Sequence, residues 1–138
     1  NGRSVRSHTR VGNEGNGFLP LFWFPHPFYP HPQTDELCKL NFPVSVPENP
    51  GYDMAPSGFI RRKGWPWTEG YYQLLDHDAG HSLTVIQKHP LLGQVCATCS
   101  YFHFFPIWGN ERTFSWEPFL ERTVAAGQDT TWRIDYDF

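Results

Sequence analysis

The chain ends in TTWRIDYDF, where Trp132, Ile134, Tyr136 and Phe138 alternate with Arg133, Asp135 and Asp137. A period of two places one set on each side of an extended chain, which is a strand with one buried face. No run sustains a helical period. Residues 118–125, PFLERTVA, come nearest and are too short to count as a helix. The strand candidates are many. QVCATCSYFHFF (94–105) is long and apolar on both sides, as a central strand would be. SLTVIQ (82–87), YYQLLD (71–76), TFSWEP (113–118) and KLNFPVSV (39–46) are shorter. Turn signals separate them at Asp78 to Gly80, Pro90 to Gly93, Gly109-Asn110 and Ala126-Gly127. Seven or eight strands with no helices between them predict an all-β, antiparallel sandwich. The aromatic share of 17%, beside 13 Pro and 12 Gly, agrees with that class.

The organisation is simple. Residues 1–17, NGRSVRSHTRVGNEGNG, hold almost nothing apolar and read as a flexible polar tail. Residues 18–138 read as one sandwich domain, a size at which a single chain buries most of its apolar surface. Two Pro-rich passages, 25–35 and 47–70, interrupt the strands. The second carries GWPWTEGYY, whose aromatics suit a folded-over loop lining a pocket.

Composition excludes several functions. A net charge of −3 lacks the basic footprint of a nucleic-acid binder. No apolar run approaches the ~20 residues of a membrane-spanning helix. Cys96-Ala-Thr-Cys99 has the spacing of redox and zinc motifs, but it lies in a predicted strand, where residues three apart face opposite ways. Together with Cys38 these read as inert thiols, and the lack of a disulfide framework favours a reducing, cytoplasmic setting. No His-x-His pair occurs. His26 and His31 are separated by prolines, and His77 and His81 flank a turn, so no metal site is expected. His8, His77, His81 and His89 read as surface residues near turns, and His103 as a core or pocket-wall residue. No G-x-S-x-G motif supports a serine nucleophile. Acid–base chemistry by a histidine and a carboxylate is what remains, with no cofactor.

Two stretches give that chemistry residues. TFSWEPF places Glu117-Pro118-Phe119 at a strand end, and AAGQDTTW makes a turn into the last strand. LFWFPHPFYPHP carries Phe24-Pro25-His26-Pro27-Phe28-Tyr29, and NPGYDMAPSGFIRRK follows it. These features resemble the C-terminal half of the aldose 1-epimerase (galactose mutarotase-like) family, over roughly residues 18–138. The resemblance implies half of a supersandwich and interconversion of the anomers of an aldose or sugar derivative. It implies Glu117 as base and His26 as acid. The family's domain is longer, so an upstream half, or a second chain, would supply the rest of the sandwich, a substrate-binding Arg and a second His. The mechanism expects His26 and Glu117 opposed across one concave pocket, about a sugar ring apart.

Other residues are candidates for holding the sugar. Trp65, Trp67, Trp108 and Trp116 could stack on a sugar face, and Asp76 or Asp78 could meet its hydroxyls. Arg61, Arg62 and Lys63 form a basic run able to meet a phosphate, although such runs are usually solvated. Two other functions fit the same residues: a non-catalytic carbohydrate-binding module or lectin, and a subunit completing a larger sugar-active enzyme.

Overall fold

The computed structural model describes residues 2–64, 66–78 and 80–138. Trp65 and the side chain of His81 lie outside the described part. The described chain contains no helix and thirteen strands: β1 (Ser4–Gly12), β2 (Leu19–Trp23), β3 (Tyr29–Pro30), β4 (Glu36–Leu40), β5 (Tyr52–Met54), β6 (Ile60–Arg62), β7 (Tyr71–Leu74), β8 (Gly80–His89), β9 (Gly93–Phe102), β10 (Pro106–Gly109), β11 (Thr113–Trp116), β12 (Leu120–Val124) and β13 (Asp129–Asp137). Seven of them form an antiparallel sheet in the order β1-β13-β9-β8-β4-β6-β5. A four-stranded sheet, β3-β11-β10-β7, forms a second layer, and β12 pairs with β2. The fold is an open, all-β antiparallel sandwich, as the strand and turn pattern predicts.

The large sheet follows from alternation. Leu83, Val85 and Gln87 of β8 are buried, as are Val95, Ala97 and Cys99 of β9. Their neighbours Thr84, Ile86, Cys96 and Thr98 lie on the other face, half-covered. So β9 is not apolar on two buried faces. Small Ala, Thr and Cys side chains make a one-sided strand look two-sided in sequence. The hairpin between β8 and β9 turns at Pro90–Leu92, and Gly93 takes up the left-handed backbone there with φ of 76°.

The expectation of a flexible tail over residues 1–17 does not hold for Ser4–Gly12. These nine residues pair with β13 along their whole length, from Ser4 opposite Asp137 to Gly12 opposite Asp129. Arg6 and Arg10 answer Asp135 and Asp129 across the pair. An edge strand exposes much of its surface, so polar composition is no obstacle to it. PFLERTVA likewise resolves as extended chain: Leu120–Val124 is β12, antiparallel to Leu19–Trp23.

The core lies between the two sheets. Leu37, Ile60, Leu83, Val85 and Ala97 of the large sheet meet Ile107, Phe114 and Trp116 of the small one. Rings bridge the layers, with Tyr52 on Phe114 at 6.1 Å and Trp116 near Tyr136 at 6.5 Å. Filling this layer with aromatics leaves the outer face of the small sheet free to carry a site.

Candidate functional site

The small sheet sorts its side chains by register. Phe114 and Trp116 of β11 and Ile107 of β10 point into the core. Ser115, Trp108 and Tyr72 point the other way, and they form a row across three strands: Trp108 is opposite Ser115 on one side and Tyr72 on the other. Glu117 comes two residues after Ser115 and so shares that outward face. Its amide N–H donates to the Pro106 carbonyl at 3.0 Å, and the Phe119 amide donates to Phe104 at 2.9 Å. Pro118 between them has no N–H to satisfy, which suits a residue where the chain leaves the sheet. Gly70, with φ of 87°, makes room for Trp108; a Cβ there would sit 2.6 Å from the indole.

The segment from Phe22 to Phe28 crosses beside this face in extended form. Phe22, Phe24, His26 and Phe28 recur every second residue. The positions after Phe24 and His26 are filled by Pro25 and Pro27, which hold the chain extended without a ladder. The ring contacts follow that order: Phe24 to His26 at 4.7 Å and His26 to Phe28 at 5.3 Å. Phe24 stacks on Phe119 at 4.1 Å, and Phe28 meets Trp108 edge-on at 6.0 Å. Phe24, His26, Phe28, Tyr72, Trp108, Glu117 and Phe119 thus enclose an open cleft of about 330 Å³. That is the lower end of the size range for small-molecule sites.

His26 and Glu117 meet in this cleft, with Nδ1 of His26 2.8 Å from Oε1 of Glu117. Glu117 is 3% exposed, while the His26 side chain is 48% exposed. Burial lifts the Glu117 carboxyl above its ordinary value; the charge of His26 and the Ser115 hydroxyl pull it down without cancelling the lift. Tyr72 is also raised, by burial and by the Glu117 charge. The expected separation of about a sugar ring is therefore corrected. The two side chains touch, because the extended segment delivers His26 directly over the end of β11, and no ring fits between them.

The remaining candidates divide. Trp108 lines the cleft. Trp116 does not: it is 0% exposed and packs on Tyr29 and Phe105, because its neighbour Glu117 takes the outward face. Trp67 is buried against Tyr52, and its indole N–H donates to the Lys63 carbonyl at 3.0 Å. Asp76 is exposed, pairs through its backbone with Ser45, and is not among the cleft residues. Four cleft residues went unread in the sequence: Phe24, Phe28, Tyr72 and Phe119. The period of two through Phe24, His26 and Phe28 was the available signal for two of them.

Several polar groups outside the cleft have local partners. His31 donates from Nε2 to the Asn110 carbonyl, and burial lowers its pKa. His89 Nδ1 accepts the amides of Leu91 and Leu92 in the hairpin turn. His103 is not a core residue; it is exposed, 3.3 Å from Glu121. Arg61, Arg62 and Lys63 face Asp53, Asp35 and Glu48. A depression of about 390 Å³ on the outer face of the large sheet includes Arg6, His8 and Arg133, but Asp135 answers both arginines. All three cysteines are free, and burial pushes Cys99 up to about 12, so no reactive thiolate forms there. Among the described residues no three His, Cys, Asp or Glu side chains gather to hold a metal, and no helix is long and apolar enough to cross a membrane. No family model and no curated protein matches the chain.

Proposed function

We propose that the cleft binds an aldose and that His26 and Glu117 interconvert its anomers, as in an aldose 1-epimerase. One observation carries this reading: a nearly buried carboxylate with a raised pKa touches a half-exposed imidazole inside an aromatic cleft. Anomer exchange opens the ring. A base takes the proton of the anomeric hydroxyl, an acid protonates the ring oxygen, and the bond from the anomeric carbon to that oxygen breaks. The carbonyl carbon then rotates, and the same groups run the steps in reverse on the other face. Both oxygens are bonded to one carbon, so acid and base need not flank the ring. A touching pair set against that carbon reaches both. Glu117 would serve as base and His26 as acid, and ring closure returns each proton.

The aromatic walls suit the C–H faces of a pyranose, with Trp108 the widest ring and the Tyr72 hydroxyl a hydrogen-bond partner. On this reading the fold corresponds to the C-terminal half of a galactose mutarotase-like supersandwich. A second reading, a binding module without catalysis, draws on the same contact: an imidazole held beside a carboxylate can hydrogen-bond a sugar without transferring protons. Polarimetry of freshly dissolved α-glucose and α-galactose separates the two. Acceleration over buffer that is lost in Glu117→Gln supports catalysis. Sugar binding with the rate at the buffer value ends that reading in favour of the module.

A further inference from the structure

A second His–carboxylate pair stands beside the cleft, joined to it by a stack of rings. Phe119 is stacked near-parallel on both Phe24 at 4.1 Å and Phe104 at 4.3 Å, so these two cover its opposite faces. Phe22 leans on Phe104 at 5.8 Å and on Phe119 at 4.9 Å, yet stays 58% exposed. Glu121 is the cross-strand partner of Phe22, which sets their side chains on one face. His103 lies 3.3 Å from Glu121 and its ring meets Phe104 edge-on. Exposed Phe22 and half-buried Phe104 are thus bordered by a donor and an acceptor.

Single exposed apolar residues need no explanation, but a contiguous group rimmed by polar side chains marks a contact surface. The chemistry here is that of a pyranose, which offers a C–H face to a ring and hydroxyls to groups at the ring's edge. We propose that Phe22 and Phe104, with His103 and Glu121, form a second sugar subsite. The ligand is then the reducing end of an oligosaccharide. Its last unit lies over His26 and Glu117, and the preceding unit rests on Phe22. Phe24 and Phe119 stand between the two positions as a short stack of rings. This inference rests on the reading of the cleft as a sugar site.

The test compares glucose and galactose with maltose, cellobiose and lactose by titration calorimetry on the whole chain, with mutarotation followed in parallel. At least one disaccharide should bind about tenfold more tightly than its reducing-end monosaccharide, as 1.4 kcal/mol of added contact gives. Phe22→Ala should bring that ratio close to one, and His103→Ala, at an exposed position, should lower it independently. Equal affinities for disaccharides and monosaccharides overturn the subsite, as does a Phe22→Ala variant that weakens both alike. A monosaccharide that binds without faster mutarotation overturns the acid–base reading alone, and the ratio still decides the subsite. Failure of every sugar to bind overturns both.

Discussion

Two His–Glu pairs stand among the described residues, close in separation and opposite in setting. His26 and Glu117 touch at 2.8 Å with the carboxylate nearly buried; His103 and Glu121 lie 3.3 Å apart with both side chains about half exposed. Water screens the second pair. Around the first, Phe24, Phe28, Trp108 and Phe119 exclude water on several sides, and the carboxyl is lifted above its usual range. Contact between an acid and a base is common on protein surfaces. Desolvation of one partner is what makes the contact usable for proton transfer near neutral pH.

The largest expected effect breaks the comparison at its chemical end. Glu117→Gln keeps the shape of the cleft but removes the proton acceptor, and should lower the mutarotation rate by about 100-fold or more, the usual scale for general acid–base catalysis. Glu121→Gln should cost the monosaccharide reaction far less, because that carboxylate is outside the cleft. Polarimetry on both variants decides it. Equal losses would mean that burial is not what distinguishes the pairs.

A smaller effect tests the wall instead of the dyad. Gly70→Ala puts a methyl 2.6 Å from the Trp108 ring at a residue with φ of 87°. Strain of this kind costs about 1–3 kcal/mol, so the melting temperature should fall. Trp108 must also shift, and sugar affinity should drop while the His103–Glu121 pair is untouched. A lower melting temperature with unchanged affinity would remove Trp108 from the site.

Much of this contrast was legible in the sequence, though unevenly. The alternation of Trp132, Ile134 and Tyr136 and the Gly and Pro turns gave the all-β class, because strand period and turn chemistry are local properties. His26 and Glu117 stood out by their Pro neighbours and family-like context. Their contact distance did not, since it depends on how the Phe22–Phe28 segment crosses the end of β11. Trp116 and Trp67 were misassigned because an aromatic in a strand is equally at home on either face, and only register decides. Ser4–Gly12 was misread because an edge strand can be polar on both sides. Tyr72 was missed because its place beside Trp108 is a cross-strand relation, invisible along the chain.

The pH dependence of stability sharpens the comparison further. Folding raises the Glu117 pKa, so the folded state holds that proton more tightly than the unfolded chain does. The associated stability is fully present below the ordinary value of 4.5 and is lost as pH rises through the raised folded value. Glu36, Asp53 and Asp135, all held low by cationic partners, act in the opposite direction, so the useful quantity is a difference between variants. Urea midpoints of the wild type should decline relative to Glu117→Gln as pH rises above 4.5. Parallel curves for the two proteins would show that Glu117 is not effectively desolvated.

The smallest effect belongs to the exposed pair. Surface ion pairs contribute about 0–1 kcal/mol, and salt screens them over a Debye length of about 3 Å at 1 M. Glu121→Gln should therefore shift the urea midpoint by less than about 1 kcal/mol equivalent, and the shift should fade as salt is raised to about 1 M. The pH-dependent difference at Glu117 should survive the same salt, because its cause is burial and ions cannot enter to screen it. A Glu121→Gln effect that grows with salt, or a Glu117 effect that vanishes with it, would reverse which pair is shielded. The aromatic rings around His26 would then be a solvated ledge, and the raised carboxyl would lose its physical cause.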